Sequence, residues 1–222
     1  MDPLIYGLLF WVFAAIFIGL ETTGTRGTPW ATLVKAVPAI LAASFAFLSG
    51  SSNSFPLLLA LSLVFCALGD IGMEYDILPG LGLFLISHIC YIATFAVQST
   101  ALGITLFPLA GFLVCVIVLL VYVSLYHRYL QTSETPTPLI RAVDLYAIAL
   151  SLTASSSLLL WLASGTFLGF LPFLGALLFI TSDSLIGIKE FHHHFDHEEQ
   201  WILGTYYLAI FLLSLSALIY AF

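Results

Sequence analysis

Long apolar runs limit what this chain can fold into. Eight stretches are apolar and long enough to cross a bilayer as helices, at about 3–20, 30–48, 55–76, 80–98, 103–126, 139–163, 167–190 and 200–221. A spanning helix needs about 20 mainly apolar residues, and in lipid only helices and closed barrels satisfy their own backbone groups. Barrel strands are short and alternate polar with apolar residues, whereas these runs are continuous. The sequence therefore predicts an all-α, polytopic membrane protein of eight transmembrane helices, forming one integral membrane domain over 1–222. Composition agrees: 61% of residues are hydrophobic and 8% charged, where a soluble domain carries about a quarter charged.

Charge and cysteine content exclude several classes. The net charge is −7, with five Lys plus Arg, so no basic stripe is present to follow a nucleic-acid backbone. Cys66, Cys90 and Cys115 lie within apolar runs and read as small core residues, not as a disulfide framework. The first segment, MDPLIYGLLFWVFAAIFIGL, is acidic before its apolar run and lacks a small-x-small cleavage site. It reads as a retained helix and not a signal peptide. Pro3, Pro56, Pro79 and Pro138 fall near predicted helix starts, while Pro38, Pro108 and Pro172 fall within spans, where a kink is tolerated. Arg26, Lys35, Arg128, Arg141 and Lys189 all belong to the side opposite the termini. Basic residues mark the cytoplasmic side, so both termini are expected outside, with the protein in the cell (inner) membrane.

Two acids interrupt these runs: Asp70 in SLVFCALGDIGM and Asp183 in FLGALLFITSDSLIG. A carboxylate at membrane depth is costly and normally faces a protein interior or a water-filled cavity, where it serves a function. Asp70 lies six residues before Asp76, and Asp183 seven before Glu190, each near the cytoplasmic end of its helix. Lys35, His88, Asp144, Tyr206 and Tyr207 are similarly displaced from the same ends of their helices. At 1.5 Å per residue all sit roughly 8–12 Å inside the surface. Six helices thus supply polar groups to one layer, which predicts a polar chamber opening towards the cytoplasmic leaflet. His88 and Tyr91 share a helix face, Glu74 sits one turn from Asp70 near the surface, and Asp144 has a local alternative partner in Arg141.

Two nearby carboxyls in poorly solvated surroundings do not both ionise easily, which provides one acid and one base. Lys35 reads either as a phosphate or carboxylate contact or as an interfacial anchor. The FCALGD segment around Asp70 weakly resembles FITSD around Asp183. Four helices per half would form a 4+4 parallel pseudo-repeat with the aspartates in equivalent places. His192, His193, His194 and His197 form a local cluster, with i,i+4 spacing between His193 and His197. The cluster lies in a connection with no matching ligands elsewhere, so it reads as structural and no metal or other cofactor is expected.

These residues also carry a resemblance. Gly69-Asp70, the following His88 to Tyr91, the Gly175 to Asp183 segment with Ser182, and Tyr206-Tyr207 together resemble the YhhN/TMEM86 family of lysoplasmalogenases over nearly the whole chain. The family's early Lys-Pro corresponds to Lys35, here followed by Ala36, and its Gln after Tyr-Tyr-x-Ala corresponds to Ile210. The resemblance implies eight helices and hydrolysis of the vinyl ether bond of lysoplasmalogens to a fatty aldehyde and glycerophosphoethanolamine or -choline. Asp70 and Asp183 would be catalytic. Lys35, His88, Tyr91, Ser182, Tyr206 and Tyr207 would bind the lysophospholipid substrate within the bilayer.

That chemistry suits an aspartate pair. Vinyl ether hydrolysis needs a proton donor for the outer alkene carbon, and a carboxylate to stabilise the resulting oxocarbenium ion and activate water. A proton-coupled transporter of a small molecule or lipid is the main alternative, since membrane acids and a parallel repeat suit one. An intramembrane aspartyl protease expects Gly-x-Gly-Asp, whereas this chain has Ala67-Leu68-Gly69-Asp70. A lipid sensor would bind lysolipid without consuming it.

Overall fold

The structure is a computed structural model that describes residues 1–22, 29–50 and 54–220. Arg26, used above for orientation, lies outside the described residues. The elements are helical: α1 (Pro3–Thr22), α2 (Pro29–Leu48), α3 (Phe55–Met73), α4 (Ile77–Leu102), α5 (Leu106–Leu130), α6 (Thr137–Ser164), a 3-10 turn (Phe167–Gly169), α7 (Phe170–Phe191), α8 (Glu198–Ser214) and the short α9 (Ser216–Ile219). Among the described residues, seven helices are long and apolar enough to cross a membrane; the described apolar part of α2, Thr32–Leu48, is shorter.

Local sequence sets the boundaries. Asp76, expected at the end of the third helix, instead caps α4: its carboxylate accepts from the Leu78 amide at 2.9 Å, satisfying a helix-start donor. Pro108 and Pro172 sit in the first turns of α5 and α7 and not mid-span, leaving Pro38 within α2. A proline in the first turn removes a donor that has no intrahelical partner anyway. The last expected helix is broken at Leu215, between α8 and α9.

The helices close into a ring. α1 packs on α2, α2 on α3, α3 on α4, α4 on α6, α6 on α7, α7 on α8, and α8 back on α1. α5 lies outside this ring along α6 and is the least buried of the candidate spans. Buried aromatics knit the closure: Tyr6 stacks on Phe45 with ring centroids 4.1 Å apart, and Phe10 meets Phe211 at 5.3 Å. α6 faces three neighbours and buries Ser151, Thr153, Ser155, Ser156 and Ser157. Small residues allow close approach between membrane helices, and hydroxyls bonded back to carbonyls, such as Ser155 to Ser151 at 2.8 Å, need no outside partner.

The α3–α4 hairpin, which carries Asp70, is held by a glycine pair. A Cβ on Gly72 would lie 3.0 Å from the Gly80 Cα, and one on Gly80 would lie 2.7 Å from the Met73 backbone nitrogen. The backbone nitrogen cannot yield as a side chain can. Gly80→Val is therefore expected to lower the thermal midpoint in detergent by several degrees, in line with an overpacking cost of about 1–3 kcal/mol. An unchanged midpoint would contradict this close approach.

Candidate active site

The interior of the ring contains a polar cavity of about 360 Å³. α3 supplies Asp70 and, at its C-cap, Glu74, α2 supplies Lys35, α7 supplies Ser182, Asp183 and Lys189, and α8 supplies Glu199 and Tyr206. Both membrane aspartates thus face one space from different helices. Asp70 is only 2% exposed, while Asp183 is half-buried.

The two carboxyls are held differently. Tyr146 of α6, itself buried, donates its hydroxyl to Asp183 Oδ2. Behind Tyr146 stands His88, with Nε2 3.4 Å from the Tyr146 oxygen and Nδ1 3.2 Å from the Thr153 hydroxyl. Since the Tyr146 proton goes to Asp183, a hydrogen bond between His88 and the Tyr146 oxygen has His88 donating from Nε2, while the single Thr153 proton has two acceptors within reach, His88 Nδ1 and the His88 carbonyl at 3.3 Å. A line of polar contacts thus runs from Thr153 through His88 and Tyr146 to Asp183. Phe179 fixes the imidazole edge-on, with centroids 4.7 Å apart.

Asp70 has no comparable support. Its Oδ2 and the Tyr206 hydroxyl are enclosed, and neither has a well-formed hydrogen bond among the described residues. They are near neighbours. Buried polar atoms are rarely left unpaired, and an exception at a cavity wall suits a group with a chemical role. Asp183 thus accepts a hydrogen bond from a buried tyrosine, whereas Asp70 Oδ2 lies beside a tyrosine without a well-formed one.

The mouth is lined with charge. Lys35 pairs with Glu74 at 2.6 Å, and Lys189 with Glu199 at 2.9 Å and Glu190 at 3.7 Å. Glu21 also lines the cavity. These are partly exposed cations with an excess of carboxylates, an arrangement suited to a group bearing both signs.

The expected site residues divide into two sets. Asp70, Asp183, Lys35, Ser182 and Tyr206 line the cavity. Ser182 also donates to the Ile202 carbonyl at 2.9 Å, tying α7 to α8. His88, Tyr91 and Tyr207 do not line it: His88 reaches it through Tyr146, and Tyr91 is buried beside Cys66 with its hydroxyl 4.0 Å from the Sγ. Tyr207 donates to the Lys35 carbonyl at 3.1 Å, fixing α8 to α2. Asp144 belongs to neither set, since its carboxylate meets His127 of α5 at 2.8 Å and not Arg141 or the chamber. Sequence reasoning missed Tyr146, whose signal was its place on the α6 turn already assigned to the polar layer.

Among the described residues, no group of three or more His, Cys, Asp or Glu side chains is arranged to hold a metal ion. His192 stacks on Tyr129 with centroids 4.0 Å apart and donates to the Tyr129 carbonyl, while His194 pairs with Glu198 at 3.0 Å. His197 starts α8 with a left-handed backbone, φ 60°.

Comparison with known proteins agrees with the motifs that frame this cavity. The sequence model of the YhhN family matches residues 30–217. Lysoplasmalogenase TMEM86B of Homo sapiens is 30% identical over 195 residues, spanning 85% of this chain and 76% of that protein. No solved structure matches. With the match extending from α2 through α8 and enclosing both aspartates, the chain belongs to the YhhN family.

Proposed function

We propose that this protein is a lysoplasmalogenase, hydrolysing lysoplasmenylethanolamine or lysoplasmenylcholine to a fatty aldehyde and glycerophosphoethanolamine or glycerophosphocholine. The observation that carries the reading is the unequal aspartate pair: across one cavity, Asp183 receives a hydroxyl proton from Tyr146 while Asp70 Oδ2 stands beside the Tyr206 hydroxyl without a well-formed hydrogen bond. The similarity to a human lysoplasmalogenase supplies the reaction class.

In this mechanism Asp70 carries the proton and Asp183 is the carboxylate. Asp70 protonates the outer alkene carbon, leaving an oxocarbenium ion at the carbon bound to the ether oxygen. Asp183 takes a proton from water as its oxygen adds to that carbon, giving a hemiacetal. The hemiacetal hydroxyl returns a proton to Asp70, the bond to the glycerol oxygen breaks, and Asp183 protonates the departing oxygen. Both carboxyls end as they began. Tyr146 and His88 position Asp183, and Tyr206 directs Asp70. General acid and base assistance of this kind contributes about 10²–10⁴-fold each.

A zwitterionic head group fits the charged mouth. Its phosphate would draw Lys35 from Glu74 or Lys189 from Glu199, and the released carboxylates would meet the ammonium. Lys35→Gln and Lys189→Gln are each expected to raise KM about tenfold, with kcat within about threefold, as for lost uniform binding. A fall in kcat at unchanged KM would remove the lysines from head-group binding.

The same reading includes a single domain of eight spans, with α2 as the eighth, in the cell's inner membrane with both termini outside. It also includes the 4+4 parallel repeat, in which the α2–α8 and α4–α6 seams would be equivalent contacts. Release of aldehyde and glycerophosphoethanolamine in equal amounts from lysoplasmenylethanolamine by purified protein tests the function. A folded protein that releases neither would refute it.

A further inference from the structure

A second hollow adjoins the chamber. It lies between α4, α5, α6 and α7, and its walls are almost wholly apolar, including Leu81, Tyr126, Val143, Ala147 and Ile180. Asp183 lines both spaces, as do Met73, Phe84 and Ile186. Asp183 therefore stands where a polar compartment meets an apolar one. A lysoplasmalogen has one such boundary, between its glycerol head and hydrocarbon chain, and the vinyl ether lies on it.

We propose that this slot binds the first methylenes of the substrate's alkenyl chain, so that filling both compartments places the vinyl ether at Asp183. The proposal rests on the lysolipid reading of the chamber. With a free volume of about 60 Å³, the slot admits a short segment and not a whole fatty chain, so the remainder leaves into the bilayer. The outer wall of the slot is α5. α5 stands outside the ring and is joined to α7 across the slot by hydroxyls: Tyr122 meets the Ser184 hydroxyl at 2.5 Å and Tyr126 donates to the Ser184 carbonyl at 3.1 Å. Gly187 leaves room for this arrangement, since a Cβ there would collide with the Tyr126 hydroxyl oxygen.

A larger apolar groove of about 530 Å³ runs between α2 and α3, lined by residues such as Phe47, Leu57 and Leu61. It shares no lining residue with the chamber, so a chain lying there would not bring its first carbons to the aspartates.

The test uses a saturated 1-O-hexadecyl lysophosphoethanolamine carrying a diazirine on the fifth chain carbon. Its bond cannot be cleaved by vinyl ether hydrolysis, so labelling reads chain position independently of turnover. Irradiation with purified wild-type protein is expected to label α4–α7 slot residues. Ala147→Phe is expected to reduce that label about tenfold, the loss of a few methylene contacts. Ala147→Leu, a milder filler, is read in its place if the phenylalanine variant does not fold. Label in the α2–α3 groove, or slot label unchanged in a folded filler variant, would overturn the proposal. Slot label from a wild-type protein that releases no aldehyde would support the chain site while removing the hydrolase reading.

Discussion

Asp70→Asn and Asp183→Asn are each expected to lower aldehyde release by about 10²–10⁴-fold, the range for loss of a general acid or base, without loss of folded protein. The substitution preserves shape and removes only the chemistry. In Asp70→Asn the amide has no acidic proton for the alkene carbon, and in Asp183→Asn it cannot take a proton from water. The Asp183→Asn side chain still presents an oxygen to Tyr146, so the buried hydroxyl keeps an acceptor and α6 keeps its contact with α7. The double variant should be little worse than either single one, because both groups serve one reaction coordinate and such losses are not additive. Near-normal turnover in either variant, measured as aldehyde per protein in detergent, would remove that residue from the mechanism.

Tyr146→Phe is expected to reduce kcat by about 10–100-fold with KM nearly unchanged, since the hydroxyl acts on Asp183 and not on the lipid. This is the size of effect for losing one charge-assisted hydrogen bond, about 1.5–3 kcal/mol. Because His88 reaches Asp183 only through the Tyr146 oxygen in this arrangement, His88→Gln should slow the wild-type enzyme but add little to Tyr146→Phe. That non-additivity distinguishes a positioning chain from two separate packing defects. Additive losses, or a Tyr146→Phe enzyme with wild-type kcat, would contradict it.

The spans and the acids were legible because both are statements about depth. An apolar run announces a crossing, and Asp70, Asp183 and Lys35 are conspicuous in such runs. Depth alone also placed Tyr206 near the chamber that it lines, while Ser182, which lines it too, was marked only by the family resemblance. Rotation about the helix axis was not legible. Asp144 and Tyr146 are two residues apart on α6, so they point about 200° apart: Asp144 meets His127 on α5, and Tyr146 meets Asp183. One tyrosine among ten gives no composition signal for that choice. His88 and Tyr207 occupy the right layer but point into neighbouring helices, for the same reason, and Tyr91 follows His88 on the same face of α4. The displacement of α5 from the ring was equally hidden, because its uniformly apolar sequence does not mark which face meets protein. The charged mouth depends on Lys189 of α7 meeting Glu199 of α8 across a turn, a pairing that neither apolar run contains.

The most direct test of vinyl ether hydrolysis is the isotopic composition of the aldehyde that purified protein forms from lysoplasmenylethanolamine in D2O. Proton transfer to the outer alkene carbon predicts one deuterium at the aldehyde's second carbon, with glycerophosphoethanolamine appearing in equal amount and both products lost in Asp70→Asn. Aldehyde without that deuterium would contradict alkene protonation. No aldehyde from folded protein that instead moves solute across vesicle membranes would replace the hydrolase with a proton-coupled transporter.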